Sequence, residues 1–343
     1  MAAAATVVLL GGLKVSGDVL LPVLFSTFLA IATQPVVRWL RGRGLPAAVA
    51  IPLVVVVAAA ALLGLTAVVA TSVRSFTVEI GRYEMQLDAL VANVTDRAAV
   101  WGLEVTPDDF SELMTPADVM DLVGSTLTAV FRVLGRTLVV VIMLTFMLIE
   151  ATDIEEKLRF AFGTGIGGDG AFGGVGERVQ RYLLIKSVVS LITGVLAGLA
   201  CRVIGIDFWL LWGLLAFLLN YIPTIGSIVA AVPPVLLAAV QLGWPQAVGC
   251  AVAYASINVM LGNFLEPRIL GQSLGLSPLV VFLSLLFWGW MWGPAGMLLC
   301  VPMTVVVQLV LEGSDETRWI AVLLGSPRVI RRVTEAAQDP STQ

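Results

Sequence analysis

The sequence predicts an all-α, polytopic integral membrane protein. It should have about eight transmembrane helices, broken or re-entrant helices in the C-terminal half, and a small extracytoplasmic helical insertion. Three observations predict this. Of 343 residues, 58% are apolar and only 13% are charged, whereas a soluble globular chain carries roughly 45–50% and about 25%. The mean hydropathy is +0.97. The apolar residues gather in charge-free runs as long as a bilayer crossing, about 20 residues. One stretch, 75–124, departs from the rest with ten acids and two bases, a net −8 against +4 for the remainder. A soluble enzyme is excluded by this composition.

Taken in order, residues 1–74 read as N-terminal transmembrane helices, with apolar candidates at 1–13, 19–37 and 44–73. The last of these is a charge-free run of 30 between Arg43 and Arg74, about 45 Å as a helix, so it should tilt or protrude. In 75–124, Phe76, Ile80, Tyr83, Leu87, Leu90 and Val94 recur at steps of three and four, the period of an amphipathic helix. Thr106-Pro107-Asp108-Asp109 and Thr115-Pro116-Ala117-Asp118 each read as a helix start. Thr caps, Pro takes the first position, and Asp meets the positive end of the dipole. A further crossing falls within 122–149, giving a transmembrane helix over 125–150, and a Gly-rich cytoplasmic linker occupies 151–181, most glycine-rich at 163–176. The C-terminal core, 182–312, opens with an apolar run at 182–204, and a tail comes after it at 313–343. From Phe208 to Leu311, 104 residues, only Glu266 and Arg268 are charged.

Basic clusters orient the chain. Arg38, Arg41 and Arg43, then Lys157, Arg159, Arg178 and Arg181, then Arg318, Arg328, Arg331 and Arg332 belong on the cytoplasmic side. Both termini are then cytoplasmic and the acidic segment lies on the opposite face. The sequence has no histidine, which removes His metal sites, His proton relays and Ser-His-Asp chemistry. Cys201, Cys250 and Cys300 stand alone in apolar stretches, as buried small hydrophobes do. The N-terminal run is short and lacks leading positive charge, unlike a secretory signal. No nucleotide loop is present, and the glycines of 163–176 come after no strand.

The informative motifs lie in the apolar half. Asn220-Tyr221-Ile222-Pro223-Thr224-Ile225-Gly226 and Pro233-Pro234 interrupt helical geometry, since proline deletes a backbone hydrogen bond. Broken helices in a membrane line protein or a wet cavity, where freed carbonyls can meet a solute or ion. The alternative is a tight interfacial turn between two ordinary spans. Trp292-Gly293-Pro294-Ala295-Gly296, with Pro302 beyond it, repeats the pattern about 70 residues later, as an inverted repeat or as coincidence. Glu266-Pro267-Arg268 is the remaining cluster. It reads either as an intramembrane ion or substrate site or as an interfacial helix cap. Asn258 and Asn263 precede it and could add amide ligands. Lys186 and Arg202 are expected to snorkel to the two interfaces, and Arg132 with Arg136 to mark an outer helix end.

Several of these stretches resemble the autoinducer-2 exporter family of bacterial membrane proteins. They are Tyr182 to Lys186, Phe208 through Gly226, Glu266-Pro267-Arg268-Ile269-Leu270-Gly271, Leu274 to Val280, and Trp292 to Leu299. The resemblance covers about 178–312 specifically. It is looser before that, through Pro22, Pro35 and the basic loop after them, and the charged lead-in usual for the family is missing. It implies a permease-type carrier in the bacterial cytoplasmic membrane, assembled as a homo-oligomer, a pentamer. Members are associated with export of the quorum-sensing signal autoinducer-2, and some with sodium–proton exchange.

The expected function is therefore secondary transport of a small polar solute, autoinducer-2 or a similar metabolite, by alternating access. No enzymatic activity, cofactor, metal or nucleic acid is expected. The partners are the lipid bilayer, the solute, a coupled proton or sodium ion, and further copies of the chain. The solute or ion pathway is placed at Asn220, Tyr221, Pro223, Gly226, Asn258, Asn263, Glu266, Pro267, Arg268, Gly293, Pro294 and Gly296. Two other readings stay open. A sodium–proton antiporter is one, weakened because no buried Asp lies mid-span. A non-transporting scaffold or passive oligomeric channel is the other.

Overall fold

The computed structural model describes residues 2–100, 124, 125, 128, 137–150, 173–270, 276–312 and 317–325. Among these the regular elements are helices, with one isolated bridge between Leu276 and Gly325. In chain order they are α1 (Ala2–Val15), α2 (Gly17–Gly42), α3 (Ala47–Val100), α4 (Thr137–Glu150), α5 (Gly173–Ile204) and α6 (Trp209–Leu219). Then come α7 (Ile225–Leu242), α8 (Trp244–Asn258), a π-helical stretch (Val259–Leu265), α9 (Glu266–Leu270), α10 (Pro278–Glu312) and α11 (Arg318–Leu324). Among the described residues six segments are long and apolar enough to cross a membrane, counting Pro278–Leu311 as one although it breaks at Trp292 and Gly293, and α4 and α6 are shorter apolar helices. Hydrocarbon offers no partner to a bare peptide group, so helices that pair their own backbone are the expected solution. Aliphatic side chains point outward, as Val57, Leu138 and Val203 do, because the surrounding solvent is lipid. The multi-pass all-α class expected from the sequence is what the fold shows.

The helices differ in detail from the sequence-based expectations. α3 continues through Arg74 without a break, although composition changes there from apolar to charged. α5 begins at Gly173, so the end of the Gly-rich stretch is helical. The two Thr-Pro helix starts, Arg132 and Arg136 lie outside the described residues.

The chain forms two compact units. One comprises Met1–Ala60, Arg136–Val188 and Glu266–Gln343, the other Ala61–Gly135 and Val189–Leu265. In the first, α2 packs on α4, and Ala30, Val37, Ala50, Ile51, Val54, Leu144 and Leu148 form a buried core. Pro35 inside α2 has no N–H for the carbonyl of Ile31 one turn earlier. Gln180 of α5 supplies the missing donor: its Nε2 donates to Ile31 O at 2.8 Å, and its Oε1 accepts from Arg38 Nη2 at 2.7 Å. A proline-made vacancy on one helix thus becomes an anchor for another.

α10 is two arms rather than one rod. Trp292 (φ −133, ψ 18) and Gly293 (φ 62, ψ −145) leave helical geometry. Trp288 Nε1 donates to Thr304 Oγ1 at 3.1 Å. Sixteen residues of straight helix would hold these groups about 24 Å apart, so the arms 278–291 and 294–312 fold back on each other. The first arm is about 21 Å long, short of the roughly 30 Å hydrocarbon core. At the tip, Trp292 Nε1 donates to Leu13 O of α1 at 3.1 Å, and Lys14 Nζ sits 4.0 Å over the Trp290 ring.

In the second unit α6 and α7 make a comparable hairpin. α6 has 11 residues, about 16 Å, and residues 220–224 reverse the chain into α7. α7 packs on α8 across Gly243, whose φ of +94 suits glycine. Gly194 and Gly198 of α5 abut Gly213 of α6. A Cβ on Gly194 would lie 2.7 Å from Gly213 O, so small residues at this spacing let two backbones meet, as they do in membrane helix pairs. Cys201, Cys250 and Cys300 are buried and free, as their apolar settings imply. Near the start of α6, Arg82 Nη2 donates to Asp207 Oδ2 at 3.0 Å.

Candidate functional site

Glu266 and Lys186 form the principal charged site. Lys186 Nζ donates to both carboxylate oxygens of Glu266, at 2.7 Å and 2.9 Å. The lysine side chain is 6% exposed and the glutamate side chain 17%. Lys186 therefore does not snorkel to an interface; its ammonium is held inside the first unit by a carboxylate 80 residues away. The correction has a simple physical cause. A buried carboxylate lacking a counter-charge is far costlier than a lysine stem that stays in the interior. Arg268 was the obvious sequence neighbour for Glu266, but it is exposed. Arg202, the other residue expected to snorkel, is exposed at the end of α5 with its guanidinium 5.2 Å from the Trp209 ring.

The helix changes character just before the carboxylate. The seven residues Val259–Leu265 before Glu266 are π-helical, and Pro267 is the second residue of α9. Pro267 has no N–H for the Asn263 or Gly262 carbonyl, so the ordinary ladder cannot run through this point. A π turn adds one residue, which rotates the chain beyond it by about 100° relative to an unbroken α-helix. Asn258 closes α8 beside Gly262, where a Cβ would sit 3.0 Å from Asn258 Oδ1. Asn263 is exposed. Of the two amides, neither has a described contact to Glu266.

Within the second unit, Asn220 is 8% exposed and its Nδ2 donates to the buried Ser190 Oγ at 2.9 Å. Tyr221 stacks edge-on against Phe217, with centroids 5.8 Å apart. Pro223 precedes Thr224, whose φ of 58 is unusual for a non-glycine. The Pro223 carbonyl accepts from the Ile225 N–H at 2.6 Å and from Thr224 Oγ1 at 2.7 Å. Gly226 is buried, and a Cβ there would fall 1.8 Å from Leu219 O. Only glycine fits where α7 starts against the end of α6.

The first unit repeats this device. Gly293 carries the positive φ, Pro294 opens the second arm and is exposed, and a Cβ on Gly296 would fall 2.0 Å from Trp288 O. In both hairpins a positive-φ residue reverses the chain and a glycine two or three positions later rests on a carbonyl of the incoming arm. Sequence reasoning missed the polar groups buried on α10, where Ser284, Thr304 and Gln308 are each under 8% exposed. It also missed Ser190 and the inward role of Lys186. The only available signal was their spacing within charge-free runs, Thr304 and Gln308 one helical turn apart.

Apolar helices of crossing length, two mid-run reversals and a charged pair drawn inside make this a multi-pass membrane protein, with features that transporters share. The chain belongs to the AI-2E transporter family, whose model matches residues 4–314. It is 34% identical over 325 residues to YhhT of Escherichia coli (strain K12), covering 95% of this chain and 93% of that protein. It is 33% identical over 318 residues to the AI-2 transport protein TqsA of the same organism, covering 93% and 92%. A Haemophilus influenzae relative is 35% identical over 328 residues, covering 94% of each chain.

Proposed function

We propose that the protein is a secondary carrier that exports a small polar solute, autoinducer-2 or a chemically similar metabolite, across the bacterial cytoplasmic membrane by alternating access. It acts as a carrier rather than an enzyme, with both termini in the cytoplasm, the 75–124 segment outside, and several copies assembled together. One observation carries the reading: the Lys186–Glu266 pair, two opposite charges held 2.7 Å apart in an apolar interior. Membrane charges are expensive, and those kept inside usually mark an ion or solute pathway. The two hairpins support it, because the chain reverses at Asn220–Gly226 and Gly293–Gly296, and transporters use such breaks to offer peptide groups to a solute or ion. The name of TqsA supports autoinducer-2 as the solute class.

Purified protein in liposomes is the test, assayed in parallel for autoinducer-2 uptake and for sodium-driven pH change. Saturable uptake that responds to a proton gradient supports the carrier. Sodium-driven pH change without uptake shifts the assignment to a sodium–proton antiporter. Non-saturating flux indicates a passive oligomeric channel, and no flux at all a scaffold.

A further inference from the structure

The second unit holds a groove that the transport reading does not use. Its volume is about 370 Å³, and its walls are almost wholly carbon. Gly64 and Val68 of α3 form one side; Gly194, Gly198, Gly213 and Phe217 of α5 and α6 form the other. Gly194, Gly198 and Gly213 bring α5 and α6 backbone to backbone, and the shallow seam between the two helices is the floor of the groove. A Cβ built on Gly64 meets nothing within 4 Å, so open space lies beside it. Leu191 and Val195, 58% and 52% exposed, continue the apolar wall along α5.

A cation, Arg202, stands beside the lining residue Trp209. Leu191, Val195, Gly198 and Arg202 succeed one another at steps of four, three and four, so they share a helical stripe. Arg202 is exposed in the last turn of α5, its guanidinium 5.2 Å from the ring of Trp209, which itself lines the groove. The nearby acid, Asp207, is engaged by Arg82 and Gln241. A tryptophan and an arginine at the mouth of an apolar channel, near a helix end, are what the membrane interface selects. The charge is positive and the groove beside it is lined by carbon.

We infer that this groove binds one anionic phospholipid, an acyl chain lying along Gly194, Gly198 and Gly213 and its phosphate on Arg202. A second copy of the chain is disfavoured as occupant. An almost wholly apolar groove with a guanidinium over the tryptophan at its edge matches a hydrocarbon chain that carries one anionic headgroup. The headgroup contact is a charge-assisted hydrogen bond from guanidinium to phosphate.

The test uses the full chain in nanodiscs of phosphatidylcholine containing one-tenth phosphatidylglycerol, with native mass spectrometry of the released protein counting bound lipid. The wild type should retain phosphatidylglycerol at several times its bulk share. Arg202→Gln should bring that enrichment down to the bulk share while a lipid stays bound. Gly64→Leu, which fills the groove from its open side, should lower retained lipid of both kinds at least twofold. Folded yield and helical content of both variants should match the wild type. Wild-type retention at the bulk share overturns the headgroup assignment. Unchanged lipid in well-folded Gly64→Leu, or a changed oligomeric state with unchanged lipid, overturns the groove as a lipid site and gives it to another copy of the chain.

Discussion

Substituting either member of the Lys186–Glu266 pair probes the site most directly. The lysine is 6% exposed and the glutamate 17%, so removing one partner leaves the other charge in an interior that solvates it poorly. Breaking a buried pair in this way costs about 3–5 kcal/mol. Lys186→Met leaves a bare carboxylate, and the residual exposure of Glu266 puts the loss near the low end, about 3 kcal/mol. Glu266→Gln retains one acceptor for the ammonium, so about 2–3 kcal/mol is expected. The double variant removes both charges and leaves a neutral amide that costs about 1–2 kcal/mol. The two substitutions should therefore be strongly non-additive, with a coupling energy above about 2 kcal/mol. Equilibrium unfolding of the four proteins in one detergent measures it. Additivity within about 0.5 kcal/mol would refute the idea that the pair acts as a unit. Transport separates structure from mechanism. If Glu266 couples to protons, well-folded Glu266→Gln should lose gradient-driven transport but keep solute exchange. Full gradient-driven transport by that variant removes Glu266 from the mechanism.

Named contacts set further outcomes. Gly226→Ala and Gly296→Ala place a methyl 1.8 Å and 2.0 Å from carbonyl oxygens, so folded yield should collapse. Gly249→Ala, with nothing within 4 Å, should express normally, and equal yields for all three would contradict the hairpin geometry. Gln180→Leu strands the Ile31 carbonyl and should cost about 1–3 kcal/mol in unfolding experiments. In a Pro35→Ala background, where an N–H is restored to that carbonyl, the penalty should shrink. Val78→Cys, at a position 79% exposed on α3, should react with an impermeant maleimide outside intact cells. The native cysteines are buried and contribute little background. Labelling only after lysis would reverse the orientation.

Much of the fold was legible because charge is the most expensive thing to place in hydrocarbon. The run 44–73 and the stretch from Phe208 to Leu311 announced helices by what they lacked. The reversals were legible in part: Pro223 and the Gly293-Pro294 pair do stand where the helix breaks, but Pro233-Pro234, read as a further interruption, lie inside an unbroken α7. Lys186 was not. A long cation within a span looks the same in sequence whether it reaches for headgroups or for a carboxylate, and its partner stands 80 residues away. The π-helical stretch left only Pro267 as a trace, because a widened turn is a compromise among neighbours rather than a residue preference. Nor did the change of composition at Arg74 reveal that one helix carries through it. Periodicity reports which face is apolar and says nothing about whether the axis continues.

That continuous helix has an angular consequence. α3 runs 54 residues, about 81 Å, of which the apolar part Ala47–Ser72 accounts for about 39 Å. The remaining length is one unbroken screw, so every position beyond Ser72 has its compass bearing fixed by the turns beneath it. Adding one residue near Gly81 swings everything further out by about 100° and lifts it by about 1.5 Å; adding seven restores the bearing to within about 20°. Whatever the charged distal end presents to its surroundings is thus indexed to the apolar part of the same helix by rotation as much as by height.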